Sequence, residues 1–202
     1  MIVYLCVLII LFLVAFINNR NQITSINSSK KSYAVKKNNS EKLFFLVTLI
    51  YLLMALKSYV TGDYSRYAIN FINATYKSIT DMASIKGEIG FHTFTKIITY
   101  ITSNVRWYFA ITSAFICISL GIFIQKNADN KIYSLFFYYT IGLFAFSLAG
   151  LRQALAMSIC LFAFKAIKDK KCIKFILIVG FAFLFHKSAA FFLLAYPIAR
   201  FK

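Results

Sequence analysis

A single arginine interrupts a long uncharged part of the sequence and is placed to bind an anion. Arg152 stands in SLAGLRQALAMS, with no charged residue in the 20 positions before it or the 12 positions after it. Gly150 is a natural break between helices, so a helix starting there directs free N–H groups and the positive end of its dipole into an outward-facing cavity, with the guanidinium beside them. This arrangement favours a diphosphate, which a guanidinium can bind through two hydrogen bonds. The structural alternative is that Arg152 extends to a polar boundary or pairs with Asp63 or Glu88.

Three other motifs carry side chains that can transfer a proton. One helical face is predicted to hold four polar residues at the spacing i, i+3, i+4 and i+7, namely Asp63, Arg66, Tyr67 and Asn70. The alternative for this set is a solvated face with an Asp–Arg pair. His186, in FHKS, is a base, a phosphate ligand or a satisfied core histidine. Glu88, in GEIGF, is ambiguous when considered alone.

Several common catalytic patterns do not occur in the sequence. It contains no HxxxH or HExxH metal spacing, no GxSxG elbow and no glycine loop of the phosphate-binding type. We therefore expect neither a cofactor nor a resident metal. The apolar stretches also lack the repeated acidic residues that are typical of a proton-coupled transporter.

The composition indicates a helical membrane protein. The chain has 202 residues, of which 60% are hydrophobic, with one proline and seven glycines, and its mean hydropathy is +0.72. The apolar runs are continuous and do not alternate, which argues against strands. The net charge of +17 comes from lysines clustered between apolar runs, where they set topology, so no nucleic-acid partner is expected.

The predicted fold is all-α, a polytopic integral membrane protein with about seven membrane segments, some short or re-entrant. The whole chain, 1–202, is one membrane domain. It is divided into a basic cytoplasmic loop at 18–42, an outer polar or interfacial segment at 57–106, and helices carrying the LRQ and FHKS motifs at 107–202. The first expected apolar segment ends before Arg20. The other six cover 43–56, 91–103, 107–125, 132–149, 153–167 and 175–199.

The distribution of basic residues predicts the orientation. If the N-terminus is outside, 15 of the 23 lysines and arginines fall on one side and the other eight on the opposite side. The richer side is cytoplasmic by the positive-inside rule. All four polar motifs then lie towards the outer face.

Two of the predicted segments are too short or too polar for a simple crossing. The run 153–167 has 15 residues, or about 22 Å of helix, whereas a crossing needs about 30 Å. The run 175–199 would bury His186 and Lys187 in lipid if it were one span. We therefore predict two short helices that meet at FHKS, with Ser188 as the N-cap.

Taken in order, four motifs resemble the EpsG family, bacterial membrane proteins of exopolysaccharide and capsule clusters that are regarded as Wzy-like polysaccharide polymerases. The motifs are TGDYSRYAINF, GEIGFHTFTKI, GLRQALAMSICLFAF and FLFHKSAAFFLL, and the resemblance covers residues 43–197. The last two are the most specific, because R-Q-A-L-A and F-H-x-S-A stand at about the expected separation.

The resemblance implies an enzyme that moves a growing glycan from undecaprenyl diphosphate onto another lipid-linked repeat unit. Arg152 would neutralise the leaving diphosphate. Asp63 or Glu88 would be the base for the acceptor hydroxyl, with His186 as a second candidate. The residues expected to bind the substrate are Arg66, Tyr67, Arg152, Gln153 and Lys187.

The resemblance also implies the surroundings of the protein. The chain would be a multi-pass protein of the bacterial cytoplasmic membrane with its N-terminus outside. Its partners would be the lipid-linked oligosaccharide, the bilayer and other polysaccharide-assembly membrane proteins.

Two departures from the family pattern leave other interpretations open. Family members usually have arginine where this chain has Lys57. They are also considerably longer, so the chain is expected to be a C-terminally truncated product or one part of a split protein. The alternatives are a flippase that moves lipid-linked glycans without joining them, and a non-catalytic remnant or subunit.

Overall fold

The computed structural model describes residues 2–24, 29–56, 62–84 and 88–201, and its regular elements there are all helices. This confirms the all-α prediction. The elements are α1 (Ile2–Thr24), α2 (Ser29–Ala55), α3 (Gly62–Thr75), α4 (Ile79–Ser84), α5 (Ile89–Ile101), α6 (Val105–Asn127), α7 (Lys131–Thr140), α8 (Leu143–Ala149), α9 (Leu151–Lys168), α10 (Cys172–Phe185), a 3₁₀ helix (Lys187–Leu194) and α11 (Ala195–Ile198).

One described helix, α6, is long and apolar enough to cross a membrane on its own. It has 23 residues and corresponds to the predicted span at 107–125. Shorter apolar helices cover Tyr4–Ile17, Cys172–Phe185 and Lys187–Ile198. The described part of the chain therefore shows one clear span, or two if the bent pair of α7 and α8 counts as one, and the prediction of about seven membrane segments is not confirmed.

The predicted span at 132–149 is apolar enough to cross a membrane but is bent in the middle rather than one continuous helix. It consists of α7 and α8, whose axes bend by 56°. Gly142 caps α8 with a φ of +90°, a left-handed conformation that glycine adopts without strain. The Tyr138 hydroxyl donates to the Ser147 hydroxyl at 2.9 Å and so fixes the bend.

The predicted basic loop at 18–42 is largely helical, which corrects that prediction. α1 continues to Thr24, and α2 begins at Ser29. No glycine or proline occurs between residues 18 and 42. Lysine and glutamine are good helix formers, so a polar composition does not by itself end a helix.

The predicted break in the run 175–199 is confirmed, whereas its capping residue is not. α10 ends at Phe185, and His186 has an extended backbone with φ −158° and ψ 130°. A 3₁₀ helix follows, in which Ser188 is an internal residue rather than the N-cap.

Stacked aromatic rings hold α3 against α6. The ring centroids of Phe71 and Tyr108 are 4.5 Å apart, and those of Tyr64 and Phe109 are 4.4 Å apart. All four side chains are buried. Such pairs contribute about 0.5–1.5 kcal/mol each beyond the area that they bury, so α3 has a fixed position.

A buried lysine joins α5 to the end of α3. The Nζ of Lys96 donates to the carbonyl oxygens of Ala74 at 3.0 Å and Thr75 at 3.5 Å. These are terminal carbonyls of α3, where a positive charge also complements the helix dipole. The charge of Lys96 therefore has a local structural partner.

Lys96→Met is expected to lower the free energy of unfolding by about 1–3 kcal/mol, because it removes charge-assisted hydrogen bonds to two carbonyl groups. Unfolding by SDS titration in mixed micelles measures this change. Lys77→Met is the matched control, because Lys77 is exposed just beyond the same end of α3. Equal stability of both variants would contradict the capping role.

Candidate functional site

Three of the predicted site residues meet through the carboxylate of Glu88. Its Oε2 accepts a hydrogen bond from the Arg152 guanidinium at 2.6 Å. Its Oε1 makes a short contact with Nδ1 of His186. The motifs GEIGF, LRQ and FHKS, which are separated by up to 98 residues in the chain, therefore form one cluster.

Each member of this Glu88–Arg152–His186 cluster stands at a helix end. Glu88 is the N-cap position of α5. Arg152 is in the first turn of α9, directly after the break at Gly150. His186 occupies the extended residue between α10 and the 3₁₀ helix. Helix ends leave backbone polar groups without intrahelical partners, so this region is polar beyond its side chains.

The cluster has a buried centre and a more accessible edge. The side chain of Glu88 is 9% exposed, whereas those of His186 and Arg152 are 27% and 36% exposed. A carboxylate that is removed from water needs partners, and here it has two. The edge that a ligand would meet is therefore the imidazole and the guanidinium.

The alternative that Arg152 pairs with Glu88 is what the structure shows. This pairing does not exclude anion binding, since a guanidinium has five N–H donors. The Tyr67 side chain, buried on α3, also interacts with Arg152. Its ring packs edge-on against Phe91 at 5.9 Å, so α3 and α5 both support the cluster.

The face predicted from Asp63 to Asn70 is divided in the structure. Tyr67 is buried on the side of α3 that packs against the core, whereas Asn70 is exposed. Arg66 and Asp63 pair with each other at 3.8 Å, and their side chains are 68% and 38% exposed. This is the solvated pair that the sequence left as an alternative.

Two other predicted site residues, Gln153 and Lys187, lie next to members of the cluster because they follow them directly in the chain. Gln153 is half-buried beside Arg152, and Lys187 is exposed beside His186. Lys57 lies outside the described residues. Among the described residues, no group of three or more His, Cys, Asp or Glu side chains is placed to hold a metal ion.

A second histidine, His92, lies next to the cluster and was not predicted. It is one turn after Glu88, and its backbone N–H donates to the backbone carbonyl of Glu88 at 3.2 Å. Burial lowers the pKa of His92 below 6.5, and the charges of Arg152 and Lys77 lower it further, while Glu88 opposes them. The spacing i, i+4 from Glu88 was the available signal in the sequence.

The stability of the protein is expected to fall as the pH drops below about 6.5. The folded pKa of His92 is lower than its unfolded value, so the unfolded chain binds a proton that the folded chain resists. Above that pH both states are neutral at this residue and the effect vanishes. His92→Gln is expected to weaken the pH dependence, measured by SDS titration at several pH values. An unchanged dependence would contradict this prediction.

Gly90 brings α5 and α10 into direct contact. A Cβ at this position would lie 2.8 Å from the Cβ of Leu184 and 2.9 Å from its carbonyl carbon. Gly90 is two residues after Glu88, and Leu184 is two residues before His186. This backbone approach therefore sets the distance between the carboxylate and the imidazole, a role that the E-x-G spacing alone did not reveal.

Comparison with known proteins identifies a family whose model covers the region that holds these motifs. Neither a curated protein nor a solved structure matches the chain significantly. The model of the EpsG family matches residues 41–202, a region that contains Glu88, Arg152, His186 and Gly90. The chain therefore belongs to the EpsG family.

Proposed function

We propose that this protein is a polysaccharide polymerase that joins oligosaccharide repeat units carried on undecaprenyl diphosphate. Membership of the EpsG family associates the chain with polysaccharide biosynthesis. The observation that carries the finer proposal is the cluster in which one buried carboxylate holds both a histidine and an arginine. In glycosyl transfer from a diphosphate, a base can take the proton of the acceptor hydroxyl, and a fixed cation can stabilise the charge of the leaving diphosphate.

His186 is the base in this proposal, and Glu88 is the residue that orients it. The contact with Glu88 uses Nδ1, so the neutral tautomer that donates from Nδ1 leaves the lone pair of Nε2 for the substrate. Both carboxylate oxygens of Glu88 are already engaged. This geometry favours His186 over Glu88, which the sequence ranked higher.

The reaction is a displacement at the anomeric carbon of the growing glycan. The acceptor hydroxyl attacks this carbon while its proton passes to Nε2 of His186. The bond from the carbon to the diphosphate oxygen breaks, and the electron pair leaves with the carrier diphosphate. Arg152 stabilises the charge that develops there, and Gln153, Tyr67 and Lys187 are the neighbouring groups that we assign to substrate binding.

The same proposal places the chain in the bacterial cytoplasmic membrane, with several crossings and the N-terminus outside. Support comes from the span α6 and from the excess of basic residues on one side of the predicted topology. The cluster would then face the outer side, where it meets lipid-linked repeat units. Other polysaccharide-assembly proteins of the membrane are the partners that we expect.

Arg152→Ala is expected to reduce polymer formation about 10²–10³-fold, by the loss of one fixed stabilising group. The measurement is the polymer ladder formed from lipid-linked repeats in a polymerase-deleted host. Arg106→Ala is the matched control, since Arg106 is exposed at the start of α6, and immunoblotting of membranes compares the amounts of protein. A full ladder from Arg152→Ala would overturn the assignment. Translocated repeats without chain growth in the wild type would indicate a flippase.

A further inference from the structure

An apolar groove lies between α2 and α6, away from the Glu88–Arg152–His186 cluster. Its volume is about 640 Å³, and it is lined by residues between 40 and 51 on α2 and between 114 and 125 on α6. Neither helix carries a member of the cluster. Phe44 and Ile118 are 76% and 59% exposed, so the groove opens sideways along the helices.

The groove is polar at one end. Ser40 and Gln125, the terminal lining residues, lie together because α2 and α6 run in opposite directions. The Ser40 hydroxyl accepts hydrogen bonds from Gln125 Nε2 at 3.0 Å and from Lys131 Nζ at 2.8 Å. Lys131 is only 7% exposed, so this end carries a positive charge that is partly removed from water.

We propose that this groove binds one anionic phospholipid of the surrounding bilayer. The acyl chain lies along the apolar wall from Leu43 towards Tyr51, and the phosphate lies at the end that holds Gln125 and Lys131. Basic pockets between membrane helices recognise anionic head groups in this way, and the volume is within the range of small-ligand sites, about 300–1,000 Å³. The proposal rests on the membrane placement proposed above but not on the polymerase reaction.

The chemistry of the groove selects this occupant. A single charged end and a long apolar wall match an amphiphile, whereas a soluble anion would leave the wall unfilled. The buried ammonium of Lys131 complements a negative phosphate and gives no equal gain for a zwitterionic head group, whose own cation offsets the charge. A preference for phosphatidylglycerol over phosphatidylcholine is therefore expected.

The test measures lipid retained by the purified full chain with native mass spectrometry, after addition of phosphatidylglycerol or phosphatidylcholine. The wild type is expected to retain phosphatidylglycerol about tenfold more tightly, a difference of about 1.4 kcal/mol. Gly121→Leu, which fills the groove from α6, is expected to lose this binding. Gly180→Leu is the matched control, since a Cβ at Gly180 on α10 would meet nothing within 4 Å.

Two further variants keep the proposal testable if Gly121→Leu does not fold. Ile118→Trp enlarges an already exposed lining residue and is expected to block the acyl chain. Lys131→Gln is expected to keep lipid binding but to lose the preference for the anionic head group. Unchanged retention in both groove-filling variants, or equal retention of the two phospholipids by the wild type, would overturn the proposal. So would displacement of phosphatidylglycerol by equimolar undecaprenyl diphosphate, which would make the carrier the occupant.

Discussion

Replacing His186 by glutamine is expected to reduce polymer synthesis by about 10²–10⁴-fold, the usual contribution of a general base. Glutamine has an N–H donor that can reach the Glu88 carboxylate, so the contact that joins α5 to the end of α10 can persist. It has no nitrogen lone pair that could take the acceptor proton. The variant therefore removes the proposed chemistry while it keeps the local hydrogen bond. The measurement is the rate at which the ladder lengthens, corrected for the amount of protein in the membrane.

Two carboxylate variants separate the competing assignments of the base. Glu88→Gln is expected to lower activity as well, because an amide does not select the tautomer of the imidazole, and Arg152 loses the negative charge that orients it. Activity that survives in His186→Gln but vanishes in Glu88→Gln would make Glu88 the base. Activity that vanishes only in Asp63→Asn would move the base to α3, where the exposed pair with Arg66 lies.

The positions of two of the helix ends that carry the Glu88–Arg152–His186 cluster were predictable from local sequence. Gly150 permits the break before α9, and the polar pair His186–Lys187 interrupts an otherwise apolar run. Both features act on the backbone at the place where they occur. They were therefore visible without knowledge of any contact in the folded chain.

The pairing within the cluster was not predictable, because it depends on contacts between distant segments. The sequence left Arg152 with two possible carboxylates, and only the packing of α5 and α9 against α10 selects Glu88 over Asp63. The burial of Tyr67 likewise follows from the aromatic pairs between α3 and α6 rather than from its spacing.

Two errors in the elements have a common physical cause. The hydropathy pattern indicates where the chain passes from apolar to polar surroundings. A helix ends instead where a residue breaks its backbone geometry. α1 and α2 therefore extend into the polar segment 18–42, which has no helix breaker. The apolar run 132–149 is divided because Gly142 takes a positive φ.

Gly90→Ala is expected to reduce activity about 100-fold, because a displacement of about 1 Å at a catalytic group has an effect of this size. The added Cβ would lie 2.8–3.0 Å from the Cβ, carbonyl carbon and carbonyl oxygen of Leu184. Backbone atoms cannot turn aside as a flexible side chain would, so α10 must move away from α5. His186 moves with α10, and Glu88 stays with α5. The expected measurements are a shortened ladder and a loss of stability of about 1–3 kcal/mol, as for an overpacked core.

The matched control for this prediction is Gly180→Ala, on the same helix α10. Its Cβ would meet no atom within 4 Å, and alanine favours a helix interior by about 1 kcal/mol over glycine. It should therefore preserve the ladder and maintain or raise stability, which separates helix propensity from helix spacing. If Gly90→Ala also gave a wild-type ladder, the close approach of α5 and α10 would not position the cluster. Glu88 and His186 would then be held together by their hydrogen bond alone, and Glu88→Ala, which removes that bond, should separate the two helices in a distance measurement between spin labels. With the proposed packing, the labels should remain at their wild-type distance in Glu88→Ala, because Gly90 and Leu184 still define the contact.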